Sequence, residues 1–101
     1  MSSKDCLFCR IVAREVPAKE LYRDEEIVAF HDIAPKAPTH ILIIPVKHIT
    51  SVGELEAGDA GVVGKIIIKA RDLAREQGID ESGYRLVSNT GPHGGQEVPH
   101  L

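Results

Sequence analysis

Two cysteines at C-x2-C spacing, Cys6-Leu7-Phe8-Cys9, are the first residues of this chain whose types and spacing could do chemistry. One helical turn or a tight loop brings two such sulfurs to a single ion. Zinc takes four tetrahedral ligands from cysteine and histidine. No second C-x2-C pair occurs, so the remaining ligands would be distant histidines, with His48 after one predicted strand and His100 on another. A redox pair is the competing reading, although no βαβ pattern precedes the motif. Two buried apolar cysteines are the third.

The other candidates are weaker when taken singly. His31, His40 and His93 sit at predicted strand edges or in loops, where most histidines are ordinary surface residues. Asp32 follows an apolar run and precedes a proline loop. Its two oxygens could accept hydrogen bonds from the vicinal hydroxyls of a sugar, or it could cap an Asx-turn. Asn89, Gly91, Gly94, Gly95 and Gln96 form a cluster in which glycines let backbone amides turn toward an anion. No Walker-type lysine accompanies it, so taken alone the cluster reads better as a hairpin loop.

The elements that must position these residues follow from pattern. Asp5 to Arg14 carries Leu7, Phe8, Ile11 and Val12 as an apolar stripe and predicts a short helix ended by Pro17. Residues 20–23 and 27–31 predict two strands, and residues 32–39, with Pro35 and Pro38, a loop. The run from His40 to Val46 predicts a strand covered on both faces. Ser51-Val52-Gly53-Glu54 has the form of a capping box for a short turn. Val62, Val63, Ile66, Ile67, Ala70, Leu73 and Ala74 recur at helical spacing, predicting a helix from about Gly58 to Gln77 with Gly78 beyond its end. Lys65, Lys69, Arg71, Asp72 and Arg75 lie on its other side. Residues 84–89 and the stretch from Val98 predict fourth and fifth strands. The sum is an α+β domain with a mostly antiparallel five-stranded sheet.

With 101 residues, one domain is expected. The four aromatic residues and absent tryptophan leave an aliphatic core. A net charge of −3 offers no broad basic face for nucleic acid. The N-terminus lacks an apolar signal-type run and residues 41–46 are too short to span a bilayer, so a cytoplasmic location and no membrane contact are expected.

Read together, Ile33-Ala34-Pro35-Lys36-Ala37-Pro38-Thr39-His40, Ile44-Pro45-Val46-Lys47-His48-Ile49 and Gly94-Gly95-Gln96-Glu97-Val98-Pro99-His100-Leu101 resemble the histidine-triad (HIT) family, in its branch of purine nucleoside phosphoramidases. The family motif is His-φ-His-φ-His-φ-φ, with φ apolar, and His100-Leu101 match its first two positions. The resemblance implies a HIT-like fold whose last strand is cut short. It implies zinc held by Cys6, Cys9, His48 and His100. Phe8, Ile11, Phe30 and Ile33 would line a purine slot, Asp32 would hold the ribose, and His31 would be a further nucleotide-binding residue. Asn89, Gly95, Gln96 and Glu97 would contact or position the α-phosphate, Glu97 through its backbone amide where many relatives carry serine. His40 would support the active site. A nucleophilic histidine would stand two places past His100, beyond the end of the chain, so the chain as given would lack that group. The implied ligand is a purine nucleoside monophosphate or phosphoramidate, and the implied assembly a homodimer. A non-catalytic nucleotide-binding module or a zinc-stabilised interaction module is the alternative.

Overall fold

A computed structural model describes residues 6–33, 35, 37–98, 100 and 101. The expected positions of Asp5, Ala34, Lys36 and Pro99 lie outside these residues. Helix α1 spans Leu7–Val12, strands β1, β2 and β3 span Glu20–Arg23, Ile27–His31 and Ile41–Pro45, and helix α2 spans Ala60–Glu76. The sheet is antiparallel in the order β1-β2-β3.

Alternation along the strands divides the core. Val28 pairs with Ile44 and Phe30 with Leu42. Val28, Phe30, Ile44 and Ile11 of α1 form one buried cluster, with Phe8 and Val12 packed against it. Ile27 and Ala29, also buried, point to the opposite face. α2 packs against β2 and β3 there, burying Ala70, Leu73 and Ala74. Val62, Val63 and Ile66 are half-buried, whereas Ile67 is half exposed. Pro45 closes β3, the outer strand among the described residues, where the missing N–H breaks no inner ladder.

The local signals acted as their chemistry requires. Ser51 Oγ accepts from the amide of Gly53 at 3.2 Å and starts a 3-10 turn over Val52–Glu54. Gly78, at φ 73°, ends α2. Its amide donates to Arg75 O and that of Ile79 to Ala74 O, the Schellman arrangement. Lys65 and Lys69 do more than decorate the helix. Lys65 Nζ lies 2.7 Å from Asp24 and 3.0 Å from Glu26, and Lys69 Nζ sits 3.7 Å over the Tyr22 ring, so α2 is clamped to the β1–β2 turn.

The fourth and fifth strands expected from sequence are not in the sheet among the described residues. Residues 84–90 join no ladder and are exposed throughout, with Leu86 at 52% and Val87 at 63%. The chain after them does not return alongside: Gly91–Gly95 turns tightly, and the last residues are drawn to β3 and its extension. His100 Nε2 bonds Pro45 O at 2.8 Å and the Leu101 amide bonds Ile49 O at 2.6 Å. A strand needs a partner edge, and β-propensity alone does not supply one.

Asp24 organises the β1–β2 turn. It accepts from the amides of Glu26 and Ile27, from Tyr22 Oη at 2.6 Å and from Lys65. Burial pushes its carboxyl up, but these four donors win and hold it well below the usual carboxylate range. The folded value is depressed, so the contribution is whole above the unfolded value of about 3.9 and fades as pH falls below it. Asp24→Ala is expected to cost about 1–3 kcal/mol at pH 7. In urea titrations the gap between wild type and variant should shrink by pH 2. A gap that widens on acidification contradicts this account.

Candidate functional site

Cys6, Cys9, His48 and His100 come together although up to 94 positions separate them. Each element has a local reason to deliver its ligand. Cys6 is the N-cap of α1, its Sγ accepting the Cys9 amide at 3.4 Å, and the helical turn puts both sulfurs on one side. His48 follows β3, and His100 is brought to the β3 edge by Pro45 O. Cys9 Sγ lies 3.0 Å from His48 Nδ1 and 3.4 Å from His100 Nδ1, while Cys6 Sγ lies 3.3 Å from His100 Nδ1. All four ligand atoms fall within 4.8 Å of one another. A tetrahedral zinc centre sets its ligand atoms about 3.5 Å apart. The donor set and its spacing therefore fit a metal ion.

The surroundings prepare these atoms. A carbonyl oxygen only accepts, so the bond to Pro45 O places the His100 proton on Nε2 and turns the Nδ1 lone pair toward the sulfurs. Burial pushes the His100 imidazole below its usual value, with His48 adding to the effect against the Pro45 bond, so the ring is neutral at pH 7 as a ligand must be. Burial, then Cys6, pushes the Cys9 thiol up to about 11. A bound cation would reverse that direction. His48 Nε2 meets Thr50 Oγ1 at 3.4 Å.

The other predicted residues fall into two groups. Phe8 stands edge-on to Phe30 with centroids 5.8 Å apart and to His100 at 5.9 Å, linking the aromatic pair to the Cys2His2 quartet. Ile11 and Phe30 are buried in the core, while Ile33 is 91% exposed at the start of the proline loop. His31 ends β2, and Asp32 Oδ2 lies 3.4 Å from His40 Nε2.

The second group is the glycine loop. Gly91 and Gly95 hold φ of 70° and 77°, the left-handed region that a side chain would strain. The loop is drawn inward on itself. The amides of Gly94 and Gln96 donate to Gly91 O and that of Gly95 to Pro92 O. Asn89 is exposed, and among the described residues neither its side chain nor the Glu97 amide has a hydrogen-bond partner.

Sequence reasoning missed Pro45 O and Thr50. The first is backbone and carries no residue signal. The second had one, because an extended segment puts residues i and i+2 on one side, and Thr50 stands two past His48.

The fold is shared with solved proteins. Residues 5–101 match the family described as scavenger mRNA decapping enzyme C-term binding. The purine nucleoside phosphoramidase of Escherichia coli K12 is 44% identical over 99 residues, 98% of this chain and 83% of that protein. A HIT family hydrolase from Legionella pneumophila is 48% identical at TM-score 0.92, covering 94% of this chain and 85% of that one. A HIT family hydrolase from Clostridium thermocellum is 43% identical at TM-score 0.95, covering 99% and 87%. The chain belongs to the histidine-triad family. No helix among the described residues is long and apolar enough to cross a membrane.

Proposed function

We propose that this chain binds purine nucleoside 5′-monophosphates as the pocket of a nucleoside phosphoramidase, stabilised by zinc at Cys6, Cys9, His48 and His100. The observation that carries the reading is that quartet beside the Phe8–Phe30 pair. Two thiolates and two neutral imidazoles suit zinc, and four protein ligands leave no position for water, so the ion is structural. Its role is to tie α1, β3 and the last residues together. The name and 44% identity of the Escherichia coli relative support the substrate class.

The purine lies against Phe8 with Ile33 at its border, while buried Ile11 and Phe30 back the slot. His31 and Asp32 follow in sequence, and Asp32 accepts the ribose hydroxyls while His40 orients its neighbours. The phosphate goes to Asn89, Gly95 and the Glu97 amide, with Gln96 shaping the loop. The concavity beside His48, about 200 Å3, is lined by Glu54, Glu56 and Asp59 with Lys47 paired to Asp59, and its surplus of carboxylates would repel a phosphate. The histidine-triad motif sets its nucleophile two places past its first histidine, a motif position that no residue of 1–101 occupies. The ring nitrogen of that nucleophile attacks the α-phosphorus, the P–N bond breaks, and the amine leaves with a proton. Water then hydrolyses the nucleotidyl-histidine to the monophosphate. Residues 1–101 contribute binding and positioning. Ile67, Ile68, Leu86 and Val87 are exposed, and apolar side chains of this kind suit the homodimer we propose for a cytoplasmic protein.

Calorimetry with adenosine 5′-monophosphate (AMP) and phosphorus NMR with adenosine 5′-phosphoramidate test the reading. At about 0.3 kcal/mol per non-hydrogen atom, AMP should bind with Kd of about 10 µM. A phosphoramidate signal converted to AMP marks an enzyme, and a stable one beside AMP binding marks a binding module. An absence of both signals removes the nucleotide reading.

A further inference from the structure

We propose that Gln96 is a positioning residue that couples the glycine loop to the metal centre, so that filling either site raises affinity at the other. The inference rests on the nucleotide and zinc readings above. It starts from the carboxamide of Gln96, whose two ends are committed. Oε1 accepts the Gly91 amide at 2.9 Å. Nε2 donates to Thr50 O at 2.6 Å and to Val98 O at 3.0 Å. The orientation is fixed by its partners, because a flipped amide would set NH2 against an N–H and oxygen against two carbonyls.

Both acceptors lead to metal ligands. Thr50 touches His48 through Oγ1 while its carbonyl holds Gln96. Val98 O takes Gln96 and also the His100 amide at 2.7 Å. An ion that fixes the His48 and His100 rings thus fixes the two carbonyls that hold Gln96, and Gln96 holds Gly91 at the mouth of the loop. Without these bonds the loop must be ordered by the phosphate itself, which weakens binding. Gln96 is half-buried and spends its polar atoms on the protein, so it acts on a nucleotide through the loop.

The test is a thermodynamic cycle read by calorimetry. AMP is titrated into metal-free and zinc-loaded protein, and zinc affinity is measured by chelator competition with and without saturating AMP. The wild type should bind AMP about 5–20-fold more tightly when loaded, and AMP should raise zinc affinity by the same factor. Gln96→Met keeps the length and removes all three bonds, and its coupling factor should fall below about twofold. Thr50→Val keeps the carbonyl and removes only the hydroxyl route. It should retain an intermediate factor, and it serves as the readout where Gln96→Met does not fold. A residue that only stabilised the fold would shift both affinities and leave the factor unchanged. Full coupling in Gln96→Met, or independent binding in the wild type, overturns the inference while leaving the site readings intact. Failure of the wild type to bind AMP or zinc at all instead removes those readings, and this one with them.

Discussion

Chelation of the zinc proposed at Cys6, Cys9, His48 and His100 is expected to lower the thermal midpoint by about 16–32 °C. An ion present at about a thousandfold its Kd contributes roughly 4 kcal/mol, and each kcal/mol moves the midpoint of a domain this small by about 4–8 °C. The effect is large because of what the ligands join. Cys6 is fully buried at the start of α1 and His100 is 4% exposed at the other end of the chain. Besides the ring contacts of His100 with Phe8 and His48, the last segment is held among the described residues by His100 to Pro45, Leu101 to Ile49 and the Gln96 bonds. Cys9→Ser should bring the zinc-treated midpoint down to the chelated value of the wild type, and adding chelator to the variant should change nothing further. Equal midpoints for wild type in zinc and in chelator, by calorimetric scan, would show that the four ligands hold no ion of consequence.

How far the sequence disclosed this arrangement depends on whether a residue's partner is near it in the chain. β1 and β2 stand where the sequence predicted them around the Asp24-Glu25-Glu26 turn, and Ser51 starts and Gly78 ends an element through local hydrogen bonds that sequence can announce. The C-x2-C pair announced itself by spacing alone. His48 and His100 became ligand candidates of any weight only through the family resemblance, because their convergence is tertiary. The failure at residues 84–89 has the same root. Their composition favours extended backbone, but a ladder partner is a property of the fold, and they join none. Lys65 and Lys69 read as solvated helix decoration until the β1–β2 turn is placed beneath them. Gln96 read as a phosphate donor because amides suit phosphates. Its three internal bonds depend on Thr50 and Val98 carbonyls, which no residue code carries.

Ile44→Ala should cost about 3–4 kcal/mol, a large share of the roughly 5–15 kcal/mol that holds a domain of this size. Ile44 is 1% exposed, lies opposite Val28 in the β2–β3 register and belongs to the cluster with Ile11 and Phe30. That cluster is small, so little neighbouring mass can move into the space left by three carbons. The loss reaches the site as well. β3 carries His40 before it, the Pro45 carbonyl that orients His100, and His48 three residues beyond. Leu7→Ala is the matched control. It removes the same number of carbons from a side chain on α1 that is 44% exposed, and alanine suits a helix, so its cost should stay below about 1 kcal/mol. Urea midpoints at saturating zinc measure both. The Ile44 variant should also bind zinc more weakly by the fraction unfolded, and the Leu7 variant should bind it as the wild type does. Similar midpoints for the two variants would mean that the α1-facing cluster does not carry the fold, and the site would need another support.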